Sequence, residues 1–397
     1  MIRGTKPLLA LAAALILCSS AWAAPAMDEA GCATAFDPAA DYFPEKTQVE
    51  FSDNFDVAYF GHYRLVTVAQ PYPGGAAATY VLVQCGTPEP DLDPELADAP
   101  RITIPVQSLF AGSTAQSPAL AALGALYVVT GVAQADFFAT PDMLAHIEAA
   151  GVVDYQSSGI IDIETVVAAR PDVVMAGGSA EAELGRIAAA GIPVVQYADW
   201  LDTSPLGRAE WVKFMSLFLN REAEANAVFA DVAERYRAGA ALIDDLPDDA
   251  KPAVLSGQAF DGIFYAAGGQ SFMAQLIADA GGRYVFADDT STGSIQIGDM
   301  ERLMARARTA DVWVQAAMTY STLADITDED PRLAAIPAVG AGNVWAPDLL
   351  KGPNGGVQFY ELGNLRPDLV LMDLIAILHP ERVPGHDMVF NRRIAAD

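Results

Sequence analysis

From Arg101 onward, short apolar runs alternate with alanine-rich stretches of helical length, and this alternation limits the possible folds more than any other feature of the chain. A strand, a crossing helix and a second strand return the chain in the same direction, so repeated units of this kind build parallel sheets covered by helices. Strands are expected at residues 102–109, 127–132, 172–175 and 193–197, with helices at 118–123, 141–150, 163–169 and 180–190. Gly124, Gly151 and Gly191 follow three of these helices, where a left-handed C-cap is easiest for glycine. Residues 206–246 carry no strand signal; Trp211, Phe214, Leu217, Phe218, Val228, Phe229, Val232 and Tyr236 fall at helical spacing, which fits one or two long helices. The βα pattern then resumes and echoes the first half. A helix from Ile163 leads to Asp172-Val173-Val174, and another from Met300 leads to Asp311-Val312-Trp313, each with an acid near the helix start.

The reading is an α/β protein of two Rossmann-like lobes with mostly parallel sheets, residues 101–206 and 247–397. A long linker helix within 207–246 joins them, and a cleft lies between.

Residues 24–100 lack helical periodicity. Stretches 47–60, 63–68 and 79–84 are rich in Val, Tyr, Phe and Thr, with Pro71, Pro73, Gly74 and Gly75 as a turn, and 89–100 is an acidic, proline-rich linker. This is a small β-rich extension. Ahead of it, Arg3 and Lys6, the apolar run from Leu8 to Leu17 and Ala21-Trp22-Ala23 form a secretory signal over residues 1–23. Leu17 stands where a lipoprotein signal requires a small residue, so cleavage before Ala24 is expected rather than a lipid anchor on Cys18. A periplasmic location follows, and in that oxidising compartment Cys32 and Cys85 are expected to pair.

The net charge of −28 excludes nucleic acid as a partner, because affinity for phosphate backbones comes largely from Lys and Arg. No Gly-x-Ser-x-Gly elbow, Walker loop or His-Glu-x-x-His occurs. The four histidines, His62, His146, His379 and His386, are scattered, so neither catalysis nor a resident metal or cofactor is expected. What remains is a set of aromatic and polar residues where strands end, the usual place for ligands in open parallel sheets. The candidates are Ser113, Thr114, Phe138, Trp200, Arg208, Phe264, Tyr265, Tyr320, Lys351 and Tyr360, together suited to a bulky, partly apolar ligand. Arg208 and Lys351 could neutralise an anionic ligand, and Ser113 and Thr114 could cap the next helix.

In order along the chain come Asp162-Ile163-Glu164 to Asp172-Val173-Val174, Ala190-Gly191-Ile192-Pro193-Val194-Val195, Gly268-Gly269-Gln270-Ser271-Phe272 before Asp279-Ala280-Gly281-Gly282, Met300-Glu301 to Val312-Trp313, and Gly342-Asn343-Val344-Trp345. From about Arg101 to the C-terminus this series resembles the substrate-binding proteins of iron-siderophore and cobalamin ABC importers. The resemblance implies a monomeric receptor that captures a small-molecule metal chelate, ferric siderophore or ferric citrate in type, and hands it to a membrane permease dimer, with iron present only inside the ligand. Cobalamin or haem in the same role is the alternative, as is an exported enzyme or a non-transport protein on the same scaffold. It further implies that Glu164 and Glu301, one on each lobe, dock onto permease arginines.

Overall fold

The computed structural model describes residues 25–179 and 182–396; the secretory leader expected at 1–23, with Cys18, lies outside the described residues. Among the described residues, no helix is long and apolar enough to cross a membrane. The extension builds a four-stranded sheet of β1 (Phe55–Phe60), β2 (Tyr63–Val68), β3 (Ala78–Gln84) and β4 (Arg101–Ile104), in that order. The first three pair antiparallel, and β4 runs parallel to β3. Residues 102–109 are therefore not one strand opening the first lobe. The chain leaves the extension at Ile104, passes a cis peptide to Pro105 and enters the lobe at β5 (Leu109–Ala111). Ile102, Ile104 and Val106 are buried as β5 is, so the apolar pattern carries across a boundary that lies near Pro105 rather than at residue 100.

The first lobe adds β6 (Val129–Ala133), β7 (Val153–Ser157), β8 (Ile160–Ile161), β9 (Val173–Ala176) and β10 (Val194–Gln196). The order is β10-β9-β5-β6-β7-β8, parallel throughout except at β8. Helices α1 (Gln116–Ala122), α2 (Pro141–Ala150), α3 (Ile163–Ala169) and α4 (Ala182–Ala189) make the crossings.

Residues 207–246 form two helices rather than one rod: α5 (Pro205–Ser216) and α6 (Glu222–Ala240), with Asn220 in the left-handed region at φ 54° where the chain turns between them. Trp211, Phe214 and almost every other residue of α5 are buried, because the extension's sheet covers the side that a surface helix would give to water. Phe55 meets the rings of Trp211 and Phe214 at 5.1 and 5.5 Å. Charges buried at this seam fix its register. The fully buried Glu210 carboxylate accepts from the backbone N–H groups of Glu50, Phe51 and Ser52 at 2.9, 2.7 and 2.9 Å and from Lys213 Nζ at 2.8 Å. Arg64, likewise fully buried, pairs with Glu222 and donates to Asn220. Each group would be costly to bury unpartnered, so the extension seats in one way only.

The second lobe runs β11 (Ala253–Phe260), β12 (Ile263–Ala267), α7 (Phe272–Asp279), β13 (Arg283–Tyr284), β14 (Ser294–Ile297), α8 (Met300–Ala307) and β15 (Val312–Val314). The first half of β11 lies parallel to β13 and β15, and its second half pairs antiparallel with β12, which pairs with β14. Gly257 marks the change at φ 138°, where a Cβ would stand 2.2 Å from the Tyr265 carbonyl oxygen, so only glycine fits.

The echo between halves has a physical basis. Asp172, ahead of β9, accepts from the N–H groups of Gln107 and Ser108 at 2.7 and 3.0 Å, at the mouth of the neighbouring β5. Asp311, ahead of β15, accepts from Ala253 N at 2.8 Å, at the mouth of the neighbouring β11. In each lobe the aspartate satisfies strand-end donors that no ladder partner reaches.

After the second lobe the chain returns to the first. Glu361, in the short helix Phe359–Leu362, is 1 % exposed and accepts from Ala139 N, Thr140 N and Thr140 Oγ1 at 2.7, 3.0 and 2.7 Å, and from Ser117 Oγ. Asn354 donates to the Phe138 carbonyl at 2.7 Å. Residues 350–366 thus act as a strap, joining the lobes a second time.

Candidate ligand-binding cleft

The parallel strands point their C-terminal ends at a cleft of about 480 Å³ between the lobes, as expected for open α/β sheets. One wall carries Trp200, just past β10, Arg208 on the first turn of α5, and Tyr360 from the strap; the facing wall carries Gln258, Tyr265, Phe272 and Gln315. Ser204 caps α5 by accepting from Gly207 N at 2.9 Å, and Pro205 occupies the position where a missing N–H costs nothing. That start aims Arg208 at the cleft floor.

Arg208 is held from three directions. Nε donates to the Asp202 carbonyl at 2.8 Å, Nη2 to the Trp200 carbonyl at 2.7 Å and Nη1 to Asn364 Oδ1 at 3.3 Å, while the guanidinium lies 4.2 Å from the centre of the Phe272 ring. None of these hydrogen bonds goes to a carboxylate. Burial lowers its pKa to about 10, with Asp199 and Asp202 resisting, so it stays cationic at neutral pH. Asp199, 2 % exposed, receives Asn364 Nδ2 at 2.8 Å. Burial pushes its carboxyl up to about 6 against the pull of Arg208.

Gln315 is the first residue past β15 and sits at φ 56°, a conformation uncommon outside glycine. Its Nε2 is buried with no hydrogen-bond partner. Such a strained, unsatisfied amide at a cleft wall is the kind of cost that proteins keep at functional positions.

Four of the ten residues read from the sequence converge here: Trp200, Arg208, Tyr265 and Tyr360. The other six do not. Phe264 is buried against Trp313 at 5.8 Å, because neighbours on a strand face opposite sides and Tyr265 takes the cleft side. Tyr320 is buried on the far edge of the same Trp313 ring and donates to Glu329. Phe138 is fully buried beneath the strap. Lys351 pairs with Asp348 at 3.0 Å on the strap's outer side. Ser113 and Thr114 do not cap α1 from its N-cap position, which Ala115 holds; Ser113 Oγ only accepts from Ala115 N at 3.3 Å. Phe272 and Gln315 were missed as site residues, although Gln315 is legible in retrospect as the residue that ends a strand.

The family profile described as periplasmic binding protein matches residues 111–348, which include most of both lobes and most of the cleft wall. The chain belongs to the periplasmic binding protein family. Two uncharacterized lipoproteins of Methanocaldococcus jannaschii are similar to it. One is 29 % identical over 242 residues, 60 % of this chain and 55 % of that protein. The other is 23 % identical over 309 residues, 74 % of this chain and 75 % of that one. This periplasmic binding protein thus spans about half the length of the first. Among solved structures, a periplasmic heme binding protein from Pseudomonas aeruginosa superposes with a TM-score of 0.55 at 21 % identity, covering 73 % of this chain and 99 % of that one. A possible iron-binding periplasmic protein from Staphylococcus epidermidis gives 0.53 at 16 %, covering 69 % and 99 %. A vitamin B12 binding protein of Vibrio cholerae gives 0.52 at 13 %, covering 70 % and 99 %. At these identities the likeness is one of two-lobed fold.

In this periplasmic binding protein Glu164 and Glu301 are the second residues of α3 and α8, both exposed. Each helix is N-capped by aspartate: Asp162 accepts from Thr165 N at 3.1 Å and Asp299 from Glu301 N at 2.9 Å. Cys32 and Cys85 form a disulfide that ties the N-terminal loop to the end of β3. Of the histidines, His146 meets the Val129 carbonyl at 2.9 Å and His386 meets Asp373 at 2.8 Å. Among the described residues no group of His, Cys, Asp and Glu is placed to hold a metal ion.

Proposed function

We propose that the chain is the solute receptor of an ABC importer that captures an anionic, partly aromatic ferric chelate of siderophore or citrate type and delivers it to the permease. The supporting observation is Arg208, a cation set among Trp200, Tyr265, Phe272 and Tyr360 with no carboxylate paired to it. A desolvated guanidinium with spare N–H groups matches carboxylate and hydroxamate oxygens, and the rings match the ligand's apolar body. The same aromatic lining favours a haem or corrinoid as the second reading, in line with what two of the similar structures are named for.

Purified mature protein titrated with ferric siderophores, ferric citrate, haem and cobalamin tests the proposal, read by quenching of Trp200 fluorescence. Submicromolar binding of a ferric chelate is expected, and silence across all four classes refutes it. Docking is assigned to Glu164 and Glu301. Reversing both to arginine should leave ligand affinity intact and abolish uptake, and undiminished uptake removes the assignment. Export is by cleavage before Ala24. The lipoprotein names of the two relatives make lipidation at Cys18 the competing outcome, and the intact mass of the mature chain decides between them.

A further inference from the structure

Arg208 is tied to a buried acid through a single amide. Asn364 donates from Nδ2 to Asp199 Oδ2 at 2.8 Å and accepts at Oδ1 from Arg208 Nη1 at 3.3 Å. The three come from different parts of the chain: the turn after β10, the start of α5 and the segment just past the strap's short helix. Asn364 can hold this bridge in one orientation only, with its amide nitrogen toward the carboxylate and its oxygen toward the guanidinium. Asp199 does not line the cleft, so it never meets the ligand; it meets the ligand's receptor.

We propose that Asp199, acting through Asn364, is the positioning residue that sets how much positive charge Arg208 presents, so that the cleft holds an anionic ligand more tightly when Asp199 carries a proton. This rests on the reading of Arg208 as the receptor for the ligand's anionic group. With Asp199 ionised, its negative charge offsets part of the Arg208 field felt in the cleft. With Asp199 protonated, that offset is lost.

The other groups facing Asp199 are Asp202, Tyr197 and the backbone of Trp200. Asp202, the next acid, takes three donors, from Ser52 Oγ at 2.7 Å, Asp53 N at 3.2 Å and Trp211 Nε1 at 2.5 Å; burial still raises its carboxyl, and these donors and Arg208 only limit the rise. Tyr197, fully buried, has its phenol pushed well up by burial and stays neutral. The Trp200 N–H contributes a fixed dipole. Burial lifts the Asp199 carboxyl to about 6, and the Asp199→Asn variant separates its change of charge from that of Asp202.

The test uses 1-anilinonaphthalene-8-sulfonate, an aromatic anion whose charge is constant between pH 5.0 and 7.5. The whole mature chain should bind it about fivefold more tightly at pH 5.0 than at 7.5, the factor expected on removing one like charge roughly 8 Å away at an effective dielectric of about 40. Asp199→Asn should bind at both pH values as the wild type does at pH 5.0, while Arg208→Gln should bind weakly at both. A pH dependence that survives unchanged in Asp199→Asn overturns the proposal. A second arm needs no ligand: carboxyl-carbon NMR of aspartate-labelled protein, with Asp199 assigned by its loss in Asp199→Asn. Its midpoint should rise in Arg208→Gln and in Asn364→Leu, and a midpoint unmoved in both overturns the coupling. Failure of the wild type to bind the sulfonate or any chelate defeats the proposed function instead, and the NMR arm still decides the coupling.

Discussion

The strap makes the sharpest prediction. Glu361→Ala removes the one acceptor shared by two backbone amides and two hydroxyls of the first lobe. The hydroxyls of Ser117 and Thr140 can turn to other partners, but the N–H groups of Ala139 and Thr140 cannot. Each buried donor left unsatisfied costs about 1–3 kcal/mol, so with the lost charge-assisted bonds the substitution should destabilise by about 4 kcal/mol. For a chain of this length the unfolding entropy is roughly 0.8 kcal/mol/K, which converts that loss to a fall in Tm of about 5 °C. Glu361→Gln keeps one acceptor and turns an NH2 toward the donors, so about 2 kcal/mol is expected. Thermal unfolding followed by circular dichroism measures the first effect. Hydrogen exchange should locate it, with faster exchange at the start of α2, where the freed amides lie. A Tm within 1 °C of the wild type, with exchange at α2 unchanged, refutes the view that this carboxylate clamps the lobes.

Three further outcomes concern Arg208, Asp199 and the disulfide. Arg208→Gln should weaken binding of an anionic chelate by about 10- to 100-fold, the worth of one charged hydrogen-bond pair, with little change in Tm; isothermal titration and a melting curve check both. Asp199 has a folded pKa raised to about 6, above the ordinary aspartate value near 3.9. The native state therefore keeps its proton where the unfolded chain releases it, and stability falls as pH rises from about 4 to 6, by up to about 3 kcal/mol. The gap in unfolding free energy between Asp199→Asn and wild type should widen across that window and level off above it; a constant gap contradicts the assignment. Reducing the Cys32–Cys85 bond, which closes a sequence separation of 53 residues, or replacing both cysteines with serine, should cost about 4 kcal/mol of chain entropy. The loss should appear first as faster exchange in residues 26–43, ahead of global unfolding.

Lobes, crossing helices and the disulfide were legible in the chain because they rest on short-range signals. Apolar runs spaced by helices dictate parallel strands, glycines mark helix ends, and two cysteines outside the cytosol pair. The family matched by residues 111–348 has the architecture that this pattern implies. The cleft was legible in part: strand ends were the right place to look, and Trp200, Arg208, Tyr265 and Tyr360 meet there.

Facing direction and distant pairing were decided only by the folded chain. The sequence cannot separate Phe264 from Tyr265 until the register of β12 against β11 and β14 shows which side is core. The assignment of β4 to the extension depends on pairing with β3, a choice between two sheets that the apolar run itself does not record. Asn364 reaches Asp199 across 165 residues, and Glu361 reaches Thr140 across 221. Periodicity registers what a residue does to its own turn or strand. Which buried charge meets which donor depends on how whole layers pack, and that packing is where this receptor acquires both its clamp and its proposed tuning of Arg208.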